Sequence, residues 1–240
     1  MIDPTVSDFF VKDNPGYLAE YDHSHGPRLD ALVARYGLDK LRGQRILDVG
    51  GGLGFLGKRL DPSNDYWVID GAEIPEGKQL CEGHWIKQDL DHDHFATPGG
   101  MEHAGCCIYR NWSIELPTFD IAFCLETLEH IGNPHHALVE IKKLVKPDGT
   151  IYLSIPTETV THNSPYPTLL WPENPNFRLF LQQMALPITD FYHYTPATVG
   201  WPAYTYRCRN AAWTENPRRL LFPKDEAKFL GATPLQATNL

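Results

Sequence analysis

Residues 46–54 read Ile-Leu-Asp-Val-Gly-Gly-Gly-Leu-Gly, and no other stretch restricts the fold as tightly. A short apolar run leads through Asp48 into glycines, which include Gly50, Gly52 and Gly54. An apolar run of this length between polar flanks reads as a buried parallel strand. Glycines placed directly after it let the backbone turn sharply with no side chain in the way. Phe55, Leu56 and Leu60 then fall on or near one helical face, so a helix is expected over 53–60. Strand, glycine loop and helix together let a nucleotide-like ligand approach backbone at the carboxyl end of the strand.

Two ligand types suit such a loop. Gly52-x-Gly54-x-x-Gly57 fits the G-x-G-x-x-G pattern of dinucleotide enzymes, which would make the chain an NAD-dependent oxidoreductase. The other pattern is D-x-G-x-G-x-G, starting at Asp48. It resembles the first motif of class I S-adenosylmethionine-dependent methyltransferases. The cofactor there has no pyrophosphate, and the glycines make room for its amino acid and ribose portions.

From Gln44 onward the chain alternates candidate strands and helices. Strands are expected at 44–49, 66–70, 84–88, 119–125 and 150–155, and helices at 53–60, within 73–82 and at 134–146. Such alternation predicts a mostly parallel sheet covered on both faces. Residues 1–43 form an N-terminal cap, with Leu29, Leu32, Val33 and Tyr36 at helical spacing and Pro27 placed as a helix starter. Tyr17, Tyr21, His23 and His25 are expected ahead of that helix, as cap packing or as a cover over the ligand. Residues 44–156 form the ligand-binding core of a single domain spanning 1–240. The link 91–117 is long for a strand connection. Residues 157–240 hold the substrate side and the terminal strands. They include a helix at 177–186, short strands around 203–222, and an aromatic-rich stretch at 157–210.

Composition narrows the class. A formal charge of −9 argues against a broad nucleic-acid surface. No apolar run is long enough to span a membrane, and Met-Ile-Asp-Pro-Thr lacks the basic flank of a signal peptide. Five cysteines with no C-x-x-C pair fit free thiols in a reducing cytoplasm better than disulfides or zinc. Oligomeric state is not legible.

Further residues choose between the two ligands. Tyr66-Trp-Val-Ile-Asp70 ends in an acid suited to a ribose diol, or to capping a turn. His84-Trp-Ile-Lys-Gln is followed by Asp89-Leu90, with Asp91 and Asp93 as neighbouring acids. Then comes Phe119-Asp-Ile-Ala-Phe-Cys-Leu-Glu126-Thr-Leu-Glu129-His130. A helix from Pro134, the turn Lys146-Pro-Asp-Gly149 and the strand Thr150–Pro156 follow. This passage is similar to strands four and five of class I methyltransferases. It is closest to the small-molecule group that includes ubiquinone-biosynthesis O-methyltransferases and sugar methyltransferases. Those often read E-x-L-E-H and K-P-G-G, and Pro-Asp-Gly here departs mildly from the second motif. The resemblance spans 44–156.

The resemblance implies a Rossmann-like α/β fold with a seven-stranded, mostly parallel sheet and helices on both faces. It implies S-adenosylmethionine as cofactor and a small-molecule acceptor, O-methylation being weakly favoured. Cofactor contacts are expected at Asp48, Gly50, Gly52, Gly54, Asp70, Gly71, Asp89, Leu90 and Leu125. His130 is the candidate general base, or a residue that holds local structure. No metal ligand is assigned. The alternatives are a metal-dependent RNA 2′-O-methyltransferase-like enzyme using Glu126, Glu129 and His130, with His162 or His193 downstream, and a non-catalytic cofactor-binding protein. Asp190-Phe-Tyr-His193-Tyr-Thr-Pro196 resembles the entry to a late helix in non-metal members. His92 and His94 read as a solvated loop, and His135 and His136 as a helix surface. Trp171, Tyr192, Tyr194, Trp201 and Tyr204 are candidates for stacking on substrate or for core packing.

Overall fold

The computed structural model describes residues 15–88, 90, 116–156, 174–196 and 202–212. Seven strands form one sheet: β1 Arg45–Val49, β2 Asp65–Asp70, β3 His84–Lys87, β4 Phe119–Leu125, β5 Val145–Pro156, β6 Ile188–Tyr194 and β7 Ala203–Arg209. Their order is β3-β2-β1-β4-β5-β7-β6. Strands β1 to β5 pair in parallel, and β7 runs antiparallel between β5 and β6. The central strands read as near-continuous apolar runs because both faces are covered.

Helix α1, Pro15–Tyr36, covers one face. Its Leu29, Leu32 and Val33 bury against Ile46, Val68, Phe123 and Tyr152. Helices α2, Pro134–Leu144, and α3, Asn174–Gln183, cover the other. Leu138 and Ile141 of α2, and Phe177 and Leu181 of α3, pack with Leu47, Val49, Ala122, Leu153 and Tyr206. The start of α2 is set by Pro134 at its first position and by Asn133, whose side chain accepts from the His136 N–H at 3.1 Å. Lys142 of α2 is buried, and its Nζ donates to Ala185 O, Asn210 Oδ1 and Ala211 O at 2.9–3.0 Å. Three acceptors satisfy all three ammonium protons.

Several expectations change. Residues 53–60 form no α-helix: turns lead into a single 3-10 turn, Gly57–Arg59. Gly54, at φ +83°, takes the backbone out of the right-handed path. Within 73–82 only the 3-10 turn Glu76–Lys78 forms, after Pro75. Pro27 does not start α1 but lies inside it, so Tyr21, His23 and His25 are helical rather than ahead of the helix. The proline forfeits one backbone bond, which tertiary packing of the apolar stripe outweighs. Strand β5 begins at Val145. It swallows the expected Lys-Pro-Asp-Gly turn as an irregularity: Phe119 pairs with Val145, Ile121 with Thr150, and Asp148 adopts φ +62°. The segment expected to enter a late helix is the edge strand β6. Beyond β7, residues 213–222 lie outside the described residues, as do 91–115.

Candidate active site

The carboxyl ends of β1, β2 and β4 bring the loop after each strand to one edge of the sheet, below the amino-terminal half of α1. Gly50 stands at φ +71°, and its N–H donates to Ile69 O at 2.7 Å. A Cβ there would lie 2.3 Å from the Thr127 side chain, so only glycine fits. Thr127 is itself held over β1, donating to Val49 O at 3.2 Å. Gly52 follows at φ +52°; its carbonyl accepts from Trp85 Nε1 at 3.2 Å. Gly57 also has a packing role, since a Cβ would sit 2.4 Å from Cys81 Sγ and 2.5 Å from the Tyr66 ring. Its place in a G-x-G-x-x-G pattern therefore follows from the room that Tyr66 and Cys81 leave it.

Two acids support the loop. Asp48 is 3% exposed, and the Tyr66 hydroxyl donates to its Oδ2. Burial pushes the Asp48 carboxyl up to about 7, while the Tyr66 hydrogen bond works against that rise. Asp70 is half-buried at the end of β2. Its Oδ2 accepts from the Gly52 N–H at 3.0 Å and its Oδ1 from the Ala72 N–H at 2.8 Å. Burial raises the Asp70 carboxyl, and these two N–H groups oppose the rise. Each oxygen keeps a lone pair for a further donor. Gly71, beside it, is half-buried.

Beyond β4 the chain enters a strained corner. Glu126 adopts φ +51°, a region that side chains other than Gly, Asn and Asp rarely visit. Its N–H donates to Ser154 O and Oγ at 3.2 and 3.1 Å, and Ser154 Oγ donates to Glu126 Oε1 at 2.8 Å. Its other oxygen, Oε2, lies 2.9 Å from Arg28 Nη1 of α1 in a buried ion pair. Tyr21, one helical region earlier, stacks on Phe55 at 4.5 Å; burial pushes its hydroxyl up to about 12. Further ion pairs join α1 to the glycine loop's 3-10 turn: Asp22 with Lys58 and Arg59 at 2.9 and 3.0 Å, and Asp30 with Arg59 at 2.6 Å. At the other end Arg35 pairs with Asp190 of β6 at 2.9 Å and lies 5.0 Å over the Tyr192 ring.

The 3-10 turn Leu128–His130 follows. The His130 side chain is 39% exposed, and its Nε2 lies 3.9 Å from Glu129 Oε1. Glu129 is 3% exposed, and neither of its oxygens has a hydrogen-bond partner. Burial, reinforced by the neighbouring Glu126 charge, raises the Glu129 carboxyl well above the usual range.

The structure thus brings Asp48, Gly50, Gly52, Gly54, Asp70, Gly71 and Leu125 to one edge, with His130 on the next turn. Leu125 is half-buried, against the α1-facing cluster. Leu90 is buried in the opposite cluster with Val49 and Ile69. Asp89 lies outside the described residues, as do His92, His94, His162, Trp171 and Trp201. His193 is exposed on β6, its ring 4.8 Å from that of Tyr204. Among the described residues no group of three or more His, Cys, Asp or Glu is arranged to hold a metal ion. Sequence reading missed Arg28, Thr127 and Trp85. An arginine in a cap helix carries no signal until its partner Glu126 is seen beside it. The threonine follows Glu126 in the motif and could have been suspected.

Comparison with known proteins adds the family. A family model described as a methyltransferase domain matches residues 21–192. Ubiquinone biosynthesis O-methyltransferase from Haemophilus ducreyi is 27% identical over 124 residues, covering 50% of this chain and 48% of that protein. The protein of the same name from Dechloromonas aromatica is 32% identical over 121 residues, covering 48% and 45%. The chain thus spans about half the length of the curated relatives it matches. An N-methyltransferase from Bradyrhizobium japonicum, solved with S-adenosyl-L-homocysteine, superposes with a TM-score of 0.57 at 15% identity, over 85% of this chain and 95% of that one. Magnesium protoporphyrin IX methyltransferase from Synechocystis gives 0.57 at 15% identity, over 84% and 91%. At these identities the structural likeness concerns the fold alone. No helix among the described residues is long and apolar enough to cross a membrane.

Proposed function

The chain belongs to the family of methyltransferase domains, and we propose that it transfers the methyl group of S-adenosylmethionine to a hydroxyl of a small-molecule acceptor. One observation carries this reading. The glycine loop at Gly50–Gly54 is wedged open by positive φ angles and gripped from β2 by Asp70, with the buried ion pair Arg28–Glu126 on its far side. A Cβ at Gly50 would strike the Thr127 side chain, so the loop needs glycine there, and the free lone pairs of Asp70 suit a ribose diol. The names of the relatives support an oxygen acceptor.

When bound, the cofactor supplies an electrophilic methyl on a sulfonium. The chain's own residues do the rest. Gly50, Gly52 and Gly54 give backbone contact without side-chain obstruction, and Asp70 and Gly71 hold the sugar. The family resemblance assigns Asp89 and Leu90 to the adenine, and Leu125 packs at the end of β4. Asp48 acts from below, bracing Gly51, whose Cβ would meet its carboxylate at 2.6 Å. Arg28, buried and paired with Glu126, holds that corner from α1. Tyr21 and Phe55 close the edge against water. His130, partly open to solvent, takes the acceptor's proton. The work of catalysis is alignment and exclusion of water. We place the chain in the cytoplasm, in keeping with the unpaired Cys81, Cys124 and Cys208.

Calorimetry with S-adenosylhomocysteine tests the reading. Saturable binding that is lost in Asp70→Ala and Gly52→Val supports it. No heat at millimolar ligand with folded protein, or a response to NAD(H) instead, overturns it.

A further inference from the structure

Glu129 is a buried carboxyl group with nothing to bond to. Both oxygens are shielded from solvent and neither has a hydrogen-bond partner. The neighbouring acid Glu126 has two partners, Arg28 and Ser154. His130 Nε2, at 3.9 Å from Glu129 Oε1, is beyond hydrogen-bond reach. An unsatisfied buried polar group lowers the stability of the protein that carries it. Its position is on the turn directly beyond β4, between the half-exposed His130 and the Glu126–Arg28 pair. Arg28 of α1 is close enough for its charge to act on the acid, which places Glu129 beneath that helix.

Each role that the fold could give Glu129 is already filled. The 3-10 turn Leu128–His130 closes through backbone bonds, His130 N–H to Thr127 O at 2.9 Å and Ile131 N–H to Leu128 O at 3.3 Å. The start of α2 is capped by Asn133. The corner at Glu126 is held by Ser154. The glycine loop is held by Asp48, Asp70 and Thr127. We propose that Glu129 is an acceptor-binding residue, whose carboxyl group exchanges a hydrogen bond with the hydroxyl to be methylated. A ligand hydroxyl reaching the turn beyond β4 supplies the partner that the protein lacks. This rests on the methyltransferase reading above and adds a residue on the acceptor side of it.

The test compares wild type with Glu129→Met and Glu129→Gln. Three quantities are read: the melting temperature of the ligand-free protein, the S-adenosylhomocysteine affinity by calorimetry, and the further thermal shift produced by catechol in the presence of S-adenosylhomocysteine. Catechol serves as a neutral planar probe with two hydroxyls. Glu129→Met should melt roughly 2–4 °C higher than wild type, because an unpartnered acid becomes apolar. Its S-adenosylhomocysteine affinity should stay within about twofold, and its catechol affinity, taken from the concentration dependence of that shift, should fall by about tenfold, the worth of one hydrogen bond. Glu129→Gln, which keeps the shape and both kinds of hydrogen-bonding group, should retain most of that response. A lower melting temperature for Glu129→Met assigns Glu129 to the fold and overturns the proposal. A tenfold loss of S-adenosylhomocysteine affinity assigns it to the cofactor and also overturns it. So does a catechol response that Glu129→Met keeps in full, or one that wild type lacks. Failure of wild type to bind S-adenosylhomocysteine at all strikes the methyltransferase reading instead.

Discussion

Asp48 makes the stability of the ligand-free protein depend on pH in a direction opposite to that of a salt-bridged carboxylate. Its folded-state pKa is raised, from 3.8 to about 7. The native state therefore holds the proton more tightly than the unfolded chain. Stability is highest at low pH, falls as pH rises from about 4 through about 7, and is level above that. Moving one carboxyl over this interval is worth roughly 4 kcal/mol in total, of which about 2.5 kcal/mol lies between pH 5 and pH 8. The perturbation is Asp48→Asn, which cannot ionise yet still offers an oxygen to the Tyr66 hydroxyl. Urea unfolding of both proteins at intervals from pH 5 to pH 8 isolates the contribution of Asp48 together with its electrostatic coupling to Asp70. The curves should diverge with rising pH, the variant gaining about 2.5 kcal/mol relative to wild type by pH 8. Parallel curves would refute the reasoning, since Asp48 would then ionise as it does in the unfolded chain. Tyr66→Phe is the converse: it removes the donor that favours the carboxylate and should lower stability at pH 8 by about 1–3 kcal/mol.

Other outcomes follow from the same geometry. Gly50→Ala meets Thr127 at 2.3 Å as well as a positive φ and should cost about 3 kcal/mol or more in chemical denaturation. Gly43→Ala, at φ +62° with nothing within 4 Å, isolates the backbone cost and should lose only about 1 kcal/mol. Arg28→Met leaves Glu126 buried without its cation; a loss of roughly 3–5 kcal/mol in urea and a weaker S-adenosylhomocysteine isotherm are expected. Lys142→Met removes three buried hydrogen bonds on the face opposite α1. It should destabilise by about 3 kcal/mol while leaving that isotherm unchanged in whatever protein remains folded.

The parts of the site written in contiguous residues were legible. Asp48 and its glycines, Asp70 at the end of β2 and the turn after β4 are local patterns. Their meaning depends only on a strand ending and a loop beginning. Helix 53–60 failed because apolar periodicity was weighed without the backbone conformation that Gly54 imposes. β6 was missed because Ile188–Tyr194 carries no clean alternation. It is an edge strand whose Phe191 alone is buried, and its identity comes from pairing with β7. Arg28 and Glu126 are separated by the whole of β1 to β4, and no window of sequence joins them. Glu129 was visible as a letter in a motif, but its lack of partners is a property of three dimensions.

The ion pairs of α1 also order events in time. Asp22 and Asp30 find Lys58 and Arg59 within about one strand of their own synthesis, whereas Arg35 and Asp190 are 155 residues apart. At ribosomal rates of roughly 5–20 residues per second, Arg35 waits about 8–30 s for its partner. The amino-terminal half of the helix can therefore pair with the Gly57–Arg59 turn early, while the part of its apolar cluster supplied by Phe123 and Tyr152 awaits β4 and β5. During that interval a nascent chain presents a helix whose apolar stripe is only partly covered.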